Sequence, residues 1–73
     1  AKHPRIDQNP EIMFGKPVVK GTRVTVEQLL RELGGGLSPD EVVTNHPNLS
    51  LTDIQAAEAF AADYLADEEV SQG

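Results

Sequence analysis

Three segments of this chain repeat one helix-start pattern: an apolar residue, a serine or threonine, two further residues, then an acid or amide and another apolar residue. The hydroxyl residues are Thr25, Ser38 and Ser50, at spacings of 13 and 12 residues. In each segment the hydroxyl can accept a hydrogen bond from the third helical N–H, and the two apolar residues can pack as a hydrophobic staple. The chain is therefore expected to contain three short helices.

The apolar residues after each cap define the predicted helices. Helix one covers residues 26–33 because four apolar side chains recur there at i, i+3, i+4 and i+7, before three glycines that end the helix. Helix two covers residues 39–45, with Val42 and Val43 facing inward. Helix three covers residues 51–66. The stripe of helix one consists of Val26, Leu29, Leu30 and Leu33.

Helix three is predicted to carry one wide apolar face. Phe60 and Tyr64 are four residues apart and are interpreted as core residues that pack against helix one. The rest of the face is rich in alanine, and it is a candidate interface with a second copy or another protein. The residues of this face are Ile54, Ala57, Phe60, Ala61, Tyr64 and Leu65.

Upstream of the helices, two short runs of β-forming residues lie at 12–14 and 18–19. Gly15, Lys16 and Pro17 separate the runs, which indicates a β-hairpin or a pair of edge strands. The predicted fold class is therefore α+β and mainly α, with a short N-terminal β-hairpin followed by three helices.

The net charge of −6 is unevenly distributed along the chain. Residues 1–31 hold all six cations and three acids, giving +3, whereas residues 32–73 hold nine acids and no cation, giving −9. Half of the cations lie in the segment 15–23, where Gly21 is expected to take a backbone conformation closed to other residues. This basic segment is a candidate contact surface for a partner or for DNA, through Lys16, Lys20 and Arg23.

A chain of 73 residues makes one domain, predicted to span residues 1–73 with mobile tails at 1–5 and 67–73. A domain of this size buries only about 60% of its unfolded surface, so its core is marginal. The sequence contains no cysteine that could add a disulfide. We therefore expect self-association, as a dimer or higher oligomer, or association with a protein partner.

The sequence gives no reason to expect a metal, a cofactor or catalysis. His3 is placed in the mobile terminus, and His46, before Pro47, is interpreted as a structural or helix-capping histidine. Two histidines are too few for a structural zinc site, and segment 15–22 lacks the residue order of a P-loop. No apolar run approaches the ~20 residues of a membrane span, and no signal-peptide pattern opens the chain. A cytoplasmic, non-enzymatic protein is expected.

Five short motifs occur along the chain in a characteristic order. They are Gly15-Lys16-Pro17, Gly21-Thr22-Arg23-Val24, Leu37-Ser38-Pro39-Asp40-Glu41-Val42, His46-Pro47-Asn48-Leu49-Ser50 and Asp53-Ile54-Gln55-Ala56-Ala57. Together they resemble, over about residues 6–66, the widespread prokaryotic family long filed as domain of unknown function 433.

The resemblance implies a small β-hairpin followed by a helix-turn-helix-like, homeodomain-like three-helix unit. Members of the family are viewed as antitoxin components of VapBC-type toxin–antitoxin pairs, next to a PIN-like nuclease toxin. By this resemblance, the chain is expected to bind and neutralise a PIN-like nuclease, with operator autoregulation as a secondary role. The family often has tyrosine or another aromatic residue where this chain has His46.

Three roles stay open for the cations of the basic segment. Lys16 or Arg23 could enter the acidic metal site of a nuclease, because a guanidinium there would occupy the electrostatic position of the metal. The cations could instead bind DNA phosphates from a dimeric β-ribbon. They could also be ordinary surface charges, with Arg23 paired to Glu27 or to a carbonyl.

Two alternatives to an antitoxin-like module follow from these roles. One is a small dimeric transcriptional regulator that binds its operator through the basic hairpin, and the other is an oligomeric scaffold protein. Helix three is a poor candidate for a DNA recognition helix because it contains no lysine or arginine.

Overall fold

The fold is a two-stranded antiparallel sheet followed by three helices, as the sequence predicts. The computed structural model describes residues 2–72 of the chain, and their side chains as far as residue 67. The elements in chain order are β1 (Ile6–Asp7), a 3₁₀ turn (Met13–Gly15), β2 (Val18–Val19), α1 (Val26–Gly34), α2 (Pro39–Asn45) and α3 (Leu51–Gln72).

Each of the three helices begins with the hydroxyl cap that its sequence specifies. The backbone N–H groups of Gln28, Glu41 and Asp53 donate to the hydroxyls of Thr25, Ser38 and Ser50 at 3.0, 3.2 and 3.4 Å, respectively. At α2 and α3 the acid also accepts from the cap's own backbone N–H, at 2.9 Å in both cases. The caps therefore accept hydrogen bonds from N–H groups of the first turns, which have no carbonyl partner within their own helix.

Replacing Ser38 with alanine is expected to lower the free energy of unfolding by about 1 kcal/mol, because the N–H of Glu41 loses its acceptor. Chemical unfolding followed by circular dichroism measures the change. Thr52→Ala is the matched control, since the Thr52 hydroxyl is exposed and makes no hydrogen bond within residues 2–67. Equal losses in the two variants would contradict the capping role.

The ends of the helices follow the sequence less closely than their starts. α1 ends at Gly34, and Gly36 has a φ of 109°, a left-handed conformation that favours glycine. α2 has the predicted bounds. The prediction that helix three ends at Ala66 is wrong, because α3 continues to Gln72. The sequence after Ala66 contains neither glycine nor proline before Gly73, which itself lies outside the described residues.

The first strand lies earlier in the chain than the sequence indicates. Ile6 of β1 pairs with Val19 of β2, so the second predicted strand is present but its partner is not the run 12–14. That prediction is wrong because Asn9 begins a turn there: its side chain accepts from the N–H of Glu11, and its carbonyl accepts from the N–H of Ile12.

The core lies where the inner faces of the three helices meet β2. Among the described residues the buried apolar side chains are Val18, Val19, Val26, Leu29, Val42, Leu49, Ile54 and Ala57. Leu33 and Phe60 are partly buried and pack against this group. The core is small, so single truncations within it carry large costs.

The N-terminal segment, which the sequence predicts to be a mobile tail, makes contacts with α3. Lys2 and His3 both contact Asp63 of α3, at 3.4 and 2.8 Å, and Arg5 contacts Asp53 at 3.0 Å. The ring of His3 also lies edge-on against Phe60, with centroids 5.4 Å apart. Residues 2–5 are therefore held along α3 by charge and by ring contact.

Candidate functional site

Most cations of the chain are neutralised by acids of the same chain. Lys2 and Arg5 are bonded to α3, as described above. Lys16 and Arg31 both bond Glu27 of α1, at 3.0 and 3.1 Å. Lys16 was a candidate partner contact, and the structure instead places it in an internal ion pair.

The two remaining cations, Lys20 and Arg23, are exposed and make no ion pair with any carboxylate within residues 2–67. The expected pairing of Arg23 with Glu27 is wrong, because Lys16 and Arg31 take both carboxylate oxygens. Arg23 instead reaches Met13, with Nη2 3.9 Å from Sδ. We call residues 20–23, which carry both cations, the cationic turn.

The backbone holds the cationic turn in one shape. The N–H of Thr22 donates to the carbonyl of Val19 at 3.0 Å, closing a β-turn whose third residue, Gly21, has a φ of 82°. The hydroxyl of Thr22 donates to the same carbonyl at 2.8 Å and accepts from the N–H of Val24 at 3.0 Å. The cations are therefore presented from a rigid turn next to the sheet.

The paired acids are stabilised in their charged form. Hydrogen bonds from Lys16 and then Arg31 lower the pKa of Glu27, and a hydrogen bond from His3 is the largest cause that lowers the pKa of Asp63. Burial alone would raise the pKa of Asp53, but bonds from Ser50 and Arg5 outweigh it and the pKa falls. These carboxylates therefore remain charged partners of their cations at neutral pH.

An apolar groove of about 430 Å³ opens between α1, α3 and the loop that leads into β2. The loop edge consists of Gly15 and Pro17. Of the described residues that line the groove, Glu27 is the only charged one. The helix walls are formed by Val26, Leu30, Phe60, Ala61, Tyr64 and Leu65. We refer to this feature as the apolar groove.

Several residues predicted to lie in the core or at an interface are exposed at this groove. Tyr64 is 56% exposed and Leu65 60% exposed, and Leu30 of α1 is 36% exposed. The interpretation that Tyr64 packs in the core is wrong, while Phe60 is partly buried, with its ring 6.2 Å from that of Tyr64. Phe14, next to the groove's loop edge, is 94% exposed. The sequence pattern identified these side chains as apolar but did not show which of them the chain itself covers.

α3 is poorly suited to contact nucleic acid. Within residues 51–67 it carries four acids and no lysine or arginine, so its charge repels phosphate. The two cations nearest to it, Lys2 and Arg5, are already paired with its acids. α3 therefore lacks the positive charge that the recognition helix of a DNA-binding helix-turn-helix needs.

The second histidine joins two helices. His46 caps α2, and its Nε2 lies 2.7 Å from Oε2 of Glu32 on α1. Nowhere in the described part of the chain do three histidine, aspartate or glutamate side chains come together as metal ligands would. None of the described helices has the length and hydropathy needed to cross a membrane.

Sequence reasoning missed the contacts of the N-terminal segment with α3, the pairing of His46 with Glu32 and the exposure of Phe14. The charge division offered a signal for the first, because cations at residues 2 and 5 and an acidic helix three predict mutual attraction. The other two depend on where separate elements meet in space, which spacing along the chain does not specify.

Comparisons with known proteins identify a family and a similar solved structure. The sequence profile described as "Protein of unknown function (DUF433)" matches residues 6–61. The crystal structure of a DUF433 member protein from Anabaena variabilis ATCC 29413 is similar to this fold, with 25% sequence identity and a TM-score of 0.78. The similarity covers 92% of this chain and 68% of that chain. No curated protein matches the sequence.

Proposed function

This chain belongs to the DUF433 family, and on that premise we propose that it is a non-enzymatic, antitoxin-like module that binds and neutralises a PIN-like nuclease. The observation that carries the proposal is the cationic turn. Lys20 and Arg23 are exposed there without a carboxylate partner in the described part of the chain, whereas the other four cations are paired internally.

An unpaired guanidinium on a rigid turn suits an acid-rich site. Nucleases of the PIN-like kind hold Mg²⁺ with clustered carboxylates, and a guanidinium can bond such carboxylates in a bidentate fork. Arg23 would take the electrostatic position of the metal ion, and Lys20 would add a second charge at the rim. Binding in this way would block the nuclease without any chemistry on the part of this chain.

The distribution of charge favours a protein partner over nucleic acid. A DNA-binding surface needs several free cations, because each phosphate contact contributes a share of the affinity. Here two are free in the described residues, and the C-terminal half of the chain carries a charge of −9. Operator binding through the β-strands remains the weaker alternative, and a gel-shift assay without added salt tests it. A scaffold role is not specifically favoured by any contact among the described residues.

The test is inhibition of a candidate PIN-like nuclease sought among the genes that neighbour this one. The change is Arg23→Glu, and we expect it to weaken inhibition and binding about thirtyfold, because a carboxylate then faces the acids of the nuclease site. Arg23→Lys should retain part of the inhibition, since it keeps the charge but loses the bidentate fork. Ribonuclease assays and calorimetric titration measure both quantities.

Lys2→Glu is the matched control, because it makes the same change in net charge at an exposed cation outside the turn. It should leave inhibition within about threefold of the unmodified chain. If Arg23→Glu inhibits as well as this control, the cationic turn is not the contact. If no neighbouring nuclease binds the chain at all, the antitoxin-like function itself is wrong.

A further inference from the structure

We propose that the apolar groove is a self-association surface in which each of two copies seats the other's Phe14. The contact is made twice around a two-fold axis, with the Phe14 of one chain inserted between α1 and α3 of its partner. This inference does not depend on the proposed function, since none of the residues of the cationic turn lines the groove.

The backbone holds Phe14 outward at a cost in free energy. Met13 and Phe14 have φ values of 49° and 60°, in the left-handed region that side chains disfavour. Two hydrogen bonds fix this conformation, from the N–H of Gly15 to the carbonyl of Ile12 and from the N–H of Lys16 to the carbonyl of Met13. Strain that displays a large apolar ring to solvent points to a use for that ring outside its own chain.

The groove exists because α3 is much longer than the helix it packs against. α3 has 22 residues and α1 has 9, so at 1.5 Å per residue they span about 33 Å and about 13 Å. Ala61 packs on the core, and Tyr64 and Leu65 follow it at helical spacings of three and four residues. They therefore continue the core face of α3 to a level that the described helices of the same chain do not cover.

Charge favours a second copy as the occupant. Two molecules with a net charge of −6 repel each other, and a face that is locally neutral lets them approach with little repulsion. The groove is such a face, since its one charged residue, Glu27, is bonded by Lys16 and Arg31. A strongly charged partner would find no complement there, whereas another copy presents the same neutral, apolar surface.

The position of Phe14 beside the apolar groove also suits a symmetric pair. Phe14 directly precedes Gly15, which forms the edge of the groove, so the projecting ring and its receptor lie side by side. A two-fold axis between them brings each ring to the opposite groove, as a self-complementary interface requires. The described loop and helices thus supply both halves of the contact on one surface.

The chain exposes more surface than a compact monomer of its mass is expected to expose. The chain exposes 5023 Å², whereas a folded monomer of 7.9 kDa is expected to expose about 4,400 Å². The excess of about 600 Å², taken over the whole chain, is comparable with the ~800 Å² that each partner buries in a standard interface. Pairing through the groove would cover the most exposed apolar side chains among the described residues.

Sedimentation equilibrium and light scattering on the full chain test the proposal. We expect the unmodified chain to reach twice its mass of 7.9 kDa as its concentration rises. Phe14→Ala should weaken dimerisation at least ~30-fold, because two rings leave the interface of each dimer. Phe14 lies outside the core, so the variant should keep its helical circular dichroism. Leu51→Ala, which removes an exposed leucine outside the groove, should dimerise like the unmodified chain.

A mixing experiment tests the reciprocal contact itself. Leu65→Arg blocks the groove but keeps Phe14, whereas Phe14→Ala keeps the groove but lacks the ring. Neither variant should pair with itself, but a mixture should form a mixed dimer through one intact contact. A monomeric unmodified chain at about 0.5 mM, undiminished pairing of Phe14→Ala, or a mixture that associates no better than its components would each overturn the proposal.

Discussion

Replacing Leu29 with alanine is expected to lower the free energy of unfolding by about 3 to 4 kcal/mol. Leu29 is completely buried and belongs to the cluster that joins α1 to α2 and α3. Truncating it removes the burial of three carbon atoms and leaves a cavity that the short helices can close only in part. A domain of 73 residues has a total stability of only about 4 to 10 kcal/mol, so a substantial unfolded population is expected.

Urea unfolding followed by circular dichroism measures this loss, with the slope against denaturant as a check on the unfolded state. Leu51→Ala makes the same chemical change at a leucine that is 46% exposed, and it should cost less than about 1 kcal/mol. Similar losses in the two variants would mean that Leu29 does not anchor the core. A large change in the slope would mean that the unfolded state, not the packing, had changed.

The helical part of the fold could be predicted because its signals are local. The hydroxyls of Thr25, Ser38 and Ser50 bond N–H groups only three residues away, so the sequence alone determines where each helix starts. The end of α3 was predicted wrongly because the sequence there contains no local signal that stops a helix. Acidic residues near a C-terminus weaken a helix but do not stop it, and no glycine or proline stands between Ala66 and Gln72.

The sheet was harder to predict because its pairing is not local. The residues of 12–14 are good β-formers, yet the turn that begins at Asn9 folds them out of reach of β2. Ile6 pairs with Val19 instead, across thirteen positions. Choosing between two short apolar segments requires knowing which one the core has room for, and propensity carries no such information.

The candidate surfaces were predicted in part. The charge division drew attention to the segment 15–23, but its three cations looked alike in the sequence. Lys16 lies close to Glu27 only once the loop has packed on α1, which leaves Arg23 unpaired. The groove was missed because helical periodicity assigns Tyr64 to the same face as Ala61, whether or not another helix is long enough to cover it.

The pairing of Glu32 with His46 leads to the second large effect. Oε2 of Glu32 accepts from Gln28 at 2.8 Å and lies 2.7 Å from Nε2 of His46. The side chains of Glu32 and His46 are only 13% and 20% exposed, so solvent screens this contact weakly. The pair therefore adds a polar link between α1 and α2 beside their apolar contacts.

Glu32→Gln is expected to lower the free energy of unfolding by about 2 kcal/mol at neutral pH, because a hydrogen bond to a charged acceptor is lost. The hydrogen bond with His46, and then that from Gln28, hold the pKa of Glu32 below its usual value of 4.5 in the folded chain. A carboxyl with a lowered folded pKa contributes stability above its unfolded pKa, and this is lost as the pH falls through the folded value. The difference between the two proteins should therefore be full near pH 7, begin to shrink below about pH 5 and vanish in stronger acid.

Urea unfolding of both proteins between neutral and acidic pH measures this difference, in a Phe14→Ala background so that self-association does not enter. The comparison is differential, since Asp53, Asp63 and Glu27 also lose their pairs in acid and lower the stability of both proteins alike. Glu58→Gln is the matched control, because Glu58 is exposed and makes no ion pair within residues 2–67. That variant should follow the parent at every pH. A loss in Glu32→Gln that stayed constant from neutral to acidic pH would show that the carboxylate charge contributes nothing, and that only the shape of the side chain matters between α1 and α2.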